Sequence, residues 1–210
     1  MTRSQEGDSP HENPRSPLGI RHPTPIDAIP VHNLIRASAF VDDNSPYLYL
    51  LVCSHFAGSS AIAERNGETM GVISAYIPPE QPDTLFVWQV AVDPMMRRQG
   101  LARAMLKFIL LSDACREVRY IDTTVTRDND ASRKLFNSFA EKLGCPLRES
   151  LLFDRHKHFL NLHDSEYLLR IGPFSTDALT RTTPTPPQSK PDTLEADHPR
   201  RPRHRRTNHE

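Results

Sequence analysis

Apolar and polar positions divide the chain into a patterned middle and two unpatterned ends. Thr84 to Val92 (TLFVWQVAV) is nearly continuously apolar and rich in β-formers, the pattern of a strand buried on both faces. Two short apolar runs flank Asn66-Gly67, which supplies the two positive-φ positions of a type I′ hairpin turn. From Gly100 to Asp113 the spacing becomes helical, with Leu101, Met105, Phe108 and Ile109 on one face. Tyr120 to Thr126 reads as a strand of β-branched residues, and Tyr167 to Ile171 as a last strand.

Punctuation fixes the helix ends. Ser45 fits an N-cap and Pro46 the first helical position of a helix reaching Phe56. Asp128 or Asn129 caps a helix that runs to about Leu143, with Gly144 as its stop. Helices, a hairpin and then strand–helix–strand–helix–strand predict an α/β fold with a mixed central sheet flanked by helices.

Residues 1–23 and 175–210 carry no periodic apolar face, and the 19 prolines concentrate toward these ends. They are expected to be disordered tails around a single folded domain, 24–174. The chain of 210 residues holds 26 basic and 26 acidic side chains, so net charge argues for no polyanionic partner. The arginine-rich end PRRPRHRR would bind a phosphate backbone only non-specifically. Cys53, Cys115 and Cys145 are odd in number and far apart, and no histidines and cysteines stand at metal-ligand spacing. They read as free thiols in a reducing cytoplasm, with no metal. No secretory h-region and no apolar run of roughly 20 residues is present, so no membrane association is expected.

The sharpest chemical motif is Arg97-Arg98-Gln99-Gly100-Leu101-Ala102, between the buried strand and the amphipathic helix. Helix N-terminal N–H groups and dipole favour an anion there. Gly100 removes a Cβ from the approach, Ala102 is nearly as small, and Arg97, Arg98 and Arg103 add positive charge. No Gly-Lys-Ser/Thr follows and no dinucleotide fingerprint is present. From these residues alone, an ordinary strand–helix turn with solvated arginines explains the pattern equally well.

A strand ending Val-Ala-Val-Asp-Pro, then Arg-x-x-Gly-x-Ala opening a helix, resembles the pyrophosphate motif of the GNAT acetyltransferases. Asn129 to Phe136 (NDASRKLF) resembles that family's next helix. The resemblance implies a GNAT fold with two splayed strands and acetyl-CoA as cosubstrate. Val90 and Val92 would lend backbone groups to pantetheine and the acetyl carbonyl. Arg97, Arg98, Gln99, Gly100, Leu101, Ala102 and Arg103 would cradle the pyrophosphate, and Asn129 would lie near the arm.

Longer stretches, among them IPPEQPDTLFVWQV and HDSEYLLRIG, resemble the branch of that family that acetylates L-2,4-diaminobutyrate to the ectoine precursor. The resemblance implies a small diamine substrate and a homodimer, and makes Asp42, Trp88 and Glu166 acceptor-binding residues. Glu166 and His163 become the candidate catalytic pair. Their spacing of three needs a bend near Asp164-Ser165 before both face one site. Phe136 stands where many relatives carry a tyrosine that protonates the leaving thiolate. Water, the amine proton, Tyr47 and Tyr167 stay open as substitutes. Another small amine or a protein N-terminus as acceptor, and a non-catalytic acyl-CoA-binding module, are the competing readings.

Overall fold

A seven-stranded sheet in the order β1-β2-β3-β4-β5-β7-β6 centres the computed structural model, which describes residues 17–38, 44–175 and 177–180. The strands are β1 (Gly19–Arg21), β2 (Ala61–Arg65), β3 (Glu68–Tyr76), β4 (Thr84–Val92), β5 (Tyr120–Val125), β6 (Leu147–Phe153) and β7 (Glu166–Ile171). The helices are α1 (Ala28–Arg36), α2 (Pro46–His55), α3 (Leu101–Leu110), α4 (Asp130–Leu143) and the single turn α5 (Asp177–Thr180). Every neighbouring pair is antiparallel except β4 with β5, so the sheet is mixed, as expected.

Local chemistry explains the elements that the sequence announces. Ser45 Oγ accepts from Leu48 N–H at the start of α2, with Pro46 behind it. Asn66 (φ 54°) and Gly67 (φ 78°) turn β2 into β3. Asn129 Oδ1 accepts from Ser132 N–H at 3.1 Å to open α4, and Gly144 closes it at φ 64°.

Two cores cover the sheet. Leu85, Val87, Ile121, Val125 and Leu169 pack with Met105, Leu106 and Ile109 of α3 and Phe136 and Phe139 of α4. On the other face Ile62, Val72 and Ala91 pack with Val31 and Ile35 of α1 and Tyr49 and Cys53 of α2. Burial pushes the Cys53 thiol up to about 11, so it is an inert apolar filler. Gly71 seats α3 on the sheet: a Cβ there would lie 2.9 Å from Met105 Cε.

The strand pair at the centre separates. β4 and β5 pair only from Thr84↔Tyr120 to Val87↔Thr123, and β4 continues to Val92 without β5 beside it. At the same point Ser74 and Ala75 of β3 pair with Gln89 and Val87, so Trp88 is an extra, bulged residue. The bulge inverts the alternation. Before it Leu85 and Val87 belong to the α3/α4 core; after it Val90 and Val92 pack on that core and Ala91 joins the other.

The folded region extends past both expected boundaries. β1 pairs with β2 ahead of Thr24, and Arg21 bridges Asp27 (2.8 Å) and Glu64 (2.8 Å). Three residues are too few for a readable period, and distant acids hold them. Past the Ser175 boundary, Leu179 of α5 is buried in the larger core. The remainder of the expected tails, and Asp42, lie outside the described residues. β1, α1, β6 and α5 are additions to the predicted elements.

Asp27 has a buried carboxylate, also bonded by Thr24 N–H (2.7 Å) and Thr24 Oγ1 (2.9 Å). The Arg21 guanidinium holds its carboxyl below the usual carboxylate range, against the opposing effect of burial. Its stabilisation is therefore complete above the unfolded-state pKa of about 3.9 and is lost as pH falls through the lowered folded value. Asp27→Asn should cost about 1–2 kcal/mol at pH 7, toward the low end for a charged hydrogen bond because Arg21 is partly solvated. Urea unfolding should show the gap between wild type and variant closing below about pH 4.

Candidate active site

Both flanking helices begin where β4 and β5 part, so two helix N-termini and two strand ends surround one gap. The turn before α3 is tight. Arg98 has φ 61°, and Gly100, at the N-cap, has φ 80°. A Cβ on Gly100 would meet only Arg103 Nη2, at 3.4 Å. Glycine is thus required by backbone conformation more than by lack of space. The first α3 bond runs from Ala104 N–H to Gly100 O, which leaves the N–H groups of Leu101, Ala102 and Arg103 without intrahelical partners.

A groove of about 650 Å³ lies over this turn. Val90, Val92, Arg97, Arg98, Gly100, Leu101, Ala102, Arg103 and Asn129 line it, with Lys134 across from α4. Gln99 does not; its carboxamide donates to Met95 O at 2.7 Å and ties the turn from outside. Arg97 Nε donates to Val92 O (3.1 Å), and Arg103 Nη1 to Ser138 Oγ (3.1 Å). Asp93 N–H donates to Met70 O on the β3 side. Strand alternation then turns the N–H and C=O of Val92 and Val90 the other way, toward the gap left by β5.

A second cavity of about 250 Å³ lies on the far side of the gap. Trp88, Gln89, Val90, Phe136, His163 and Glu166 are in its wall, with Asn44 and the threonines of β5. The bulge leaves the Trp88 ring 40% exposed, in the cavity lining and out of the core. Asn129 does two things at once: it caps α4 and it lines both cavities.

His163 and Glu166 come together. Glu166 is the first residue of β7, and His163 lies in the loop before it, so the strand's alternation does not govern their spacing. His163 Nε2 is 3.9 Å from Glu166 Oε1. His163 Nδ1 is 2.7 Å from Asp164 O. A carbonyl oxygen only accepts, so Nδ1 carries the proton and Nε2 faces the carboxylate. The Phe159 ring packs on the imidazole at 4.8 Å. Asp164 is paired with Arg155 and does not line the cavity. Tyr167 accepts from Arg127 Nε at 2.8 Å, Tyr47 is exposed, and neither lines either cavity.

The sequence reading missed Asn44, Gln89, Ser132 and the β5 threonines. Gln89 leaves a trace, as the one carboxamide within TLFVWQVAV. Among the described residues no helix is long and apolar enough to cross a membrane, and no cluster of three acidic, histidine or cysteine residues could hold a metal.

The acetyltransferase (GNAT) family profile matches residues 29–140. The chain belongs to the GNAT acetyltransferase family. Its relatives narrow the position within it. The L-2,4-diaminobutyric acid acetyltransferase of Bordetella parapertussis is 45% identical over 157 residues, 74% of this chain and 84% of that protein. That of Methylotuvimicrobium alcaliphilum is 41% identical over 157 residues, 75% of this chain and 91% of the relative. The solved diaminobutyrate acetyltransferase EctA from Paenibacillus lautus, in complex with its substrate L-2,4-diaminobutyric acid and coenzyme A, is 41% identical. It superposes with a TM-score of 0.73 over 76% of this chain and 97% of that one. Ard1 from Thermoplasma volcanium, at 18% identity and TM-score 0.61, shares the GNAT fold alone.

Proposed function

We propose that this protein transfers the acetyl group of acetyl-CoA to the γ-amine of L-2,4-diaminobutyrate, making the ectoine precursor Nγ-acetyl-2,4-diaminobutyrate. The observation that carries the reading is the meeting of a cation-lined groove and a carboxylate-bearing cavity at one gap in the sheet. The relatives that align with most of the chain are named L-2,4-diaminobutyric acid acetyltransferases. The smaller cavity, about 250 Å³, suits a small amino acid. It lies below the roughly 300–1,000 Å³ of pockets for larger ligands.

Acetyl-CoA supplies the activated acetyl group. The α3 N–H groups with Arg97, Arg98 and Arg103 hold its pyrophosphate. Val92 and Val90 hold the pantetheine arm through the backbone, and the Val90 N–H polarises the acetyl oxygen. An ammonium is no nucleophile, so a base must free the amine. Glu166 receives that proton, and His163, with its Nε2 3.9 Å from Glu166 Oε1, walls the cavity beside it. Trp88 walls the acceptor. Asp42, outside the described residues, is the second acid of this proposal and retains the α-ammonium. Holding the α-ammonium delivers only the γ-amine, and close placement contributes on the order of several kcal/mol.

The same reading includes a homodimer in the cytoplasm. Free thiols support the location. Support for the dimer is the edge strand β6, whose Leu151, Leu152 and Phe153 are exposed, as are Leu160 and Leu162 in the loop that follows. Sedimentation at micromolar concentration should give twice the 23.9 kDa chain mass, and a strict monomer would refute the dimer.

Two variants separate the halves of the site. Gly100→Asp forces a side chain onto a left-handed position and adds a like charge at the phosphate turn. Calorimetry should show coenzyme A binding at least about 2 kcal/mol weaker. Glu166→Gln should lower kcat/KM for diaminobutyrate by about 2 kcal/mol or more and leave coenzyme A affinity nearly unchanged. NMR of the wild-type product should place the acetyl group on Nγ. Acetylation of the α-amine, or full activity in Glu166→Gln, would overturn the acceptor assignment.

A further inference from the structure

If acetyl transfer is the reaction, the thioester lies where the two cavities meet, because donor and amine approach from opposite sides. Val90, Asn129 and Ser132 line both cavities. Their chemistry differs. The Val90 side chain is hydrocarbon. Asn129 Oδ1 accepts from the Ser132 N–H as the α4 cap, which fixes the carboxamide and leaves it an amide donor, not a hydroxyl. Ser132 carries the only side-chain hydroxyl of the three, and among the described residues that hydroxyl has no hydrogen-bond partner. One turn further on, Phe136 closes the acceptor wall with a ring that donates nothing. The β5 threonines line only the acceptor cavity, and Ser38 and Ser138 only the groove. Ser132 also sits in the first turn of α4, where the positive helix end favours a negative charge.

We propose that the Ser132 hydroxyl donates a hydrogen bond to the departing coenzyme A sulfur, so that the thioester breaks to a held thiolate. The amine nitrogen bonds to the acetyl carbon, and the carbon–sulfur bond breaks with its electron pair going to sulfur. The amine proton goes to Glu166 and then to solvent. Ser132 keeps its own proton. An alcohol is as weakly acidic as water, far weaker than a thiol, which ionises at about 8.5, so full transfer to sulfur is uphill. The inference rests on the acetyl-transfer reading but not on which amine is the acceptor.

The binary complex with coenzyme A tests it, because thiolate absorbance in the ultraviolet reports the ionisation of the bound thiol. In wild type the bound thiol should ionise at lower pH than free coenzyme A. Ser132→Ala keeps the backbone N–H that Asn129 caps. It should weaken that ionisation about tenfold, the scale of one hydrogen bond to a charged group. The kcat should fall by a similar factor, with the KM of each substrate within about twofold. Ser132→Thr, which retains a hydroxyl, should restore the wild-type ionisation. Equal thiol ionisation in wild-type and Ser132→Ala complexes would overturn the inference and leave the acetyl-transfer reading standing. A wild-type protein that binds no coenzyme A would overturn both.

Discussion

The separation of β4 from β5 beyond Val87 and Thr123 is the constraint on which the site depends. Backbone N–H and C=O groups inside a sheet normally pair, and leaving them open is costly unless a ligand or water meets them. Here a central strand runs on for five residues with no strand on one edge; Arg97 Nε meets the Val92 carbonyl, and alternation turns the Val92 N–H and the Val90 peptide groups toward the opening. The Trp88 bulge occurs at the parting point and turns an aromatic out of the core into the smaller cavity. Ligands of open α/β sheets gather beyond the carboxyl ends of parallel strands, and this parallel pair follows that rule.

Charge is divided across the gap. Arg97, Arg98, Arg103 and Lys134 outnumber Asp128 and Asp130 around the groove, while Glu166 and His163 stand in the smaller cavity. The chain's formal net charge of zero conceals this division. In the proposed reaction a polyphosphate and an ammonium would be drawn to opposite sides of one opening, and the two cavities share only Val90, Asn129 and Ser132. Among the described residues the groove and the smaller cavity share no charged side chain.

Several elements were legible because their cause is local. Ser45-Pro46, Asn66-Gly67 and Asn129 through Gly144 act on φ, ψ and unpaired N–H groups within a few residues, so the sequence shows them directly. The Arg-x-x-Gly-x-Ala turn was legible as a tight turn opening a helix for the same reason. Gln99 was not separable from its neighbours there, because its outward hydrogen bond to Met95 O depends on the path of the preceding turn.

What only the tertiary structure decided depends on partners distant in the chain. β1 is held by Asp27 and Glu64, and β6 is an edge strand with little apolar period of its own. The bulge at Trp88 exists only in register with β3, and no alternation within TLFVWQVAV announces it. His163 and Glu166 share a cavity because β7 begins between them, which frees the histidine from the strand's period. The sequence by itself determined the turns, the caps and the chemical types gathered near the site. Register and strand separation decided which of those groups face one another, because hydrogen-bond pairing between strands is set by both partners together.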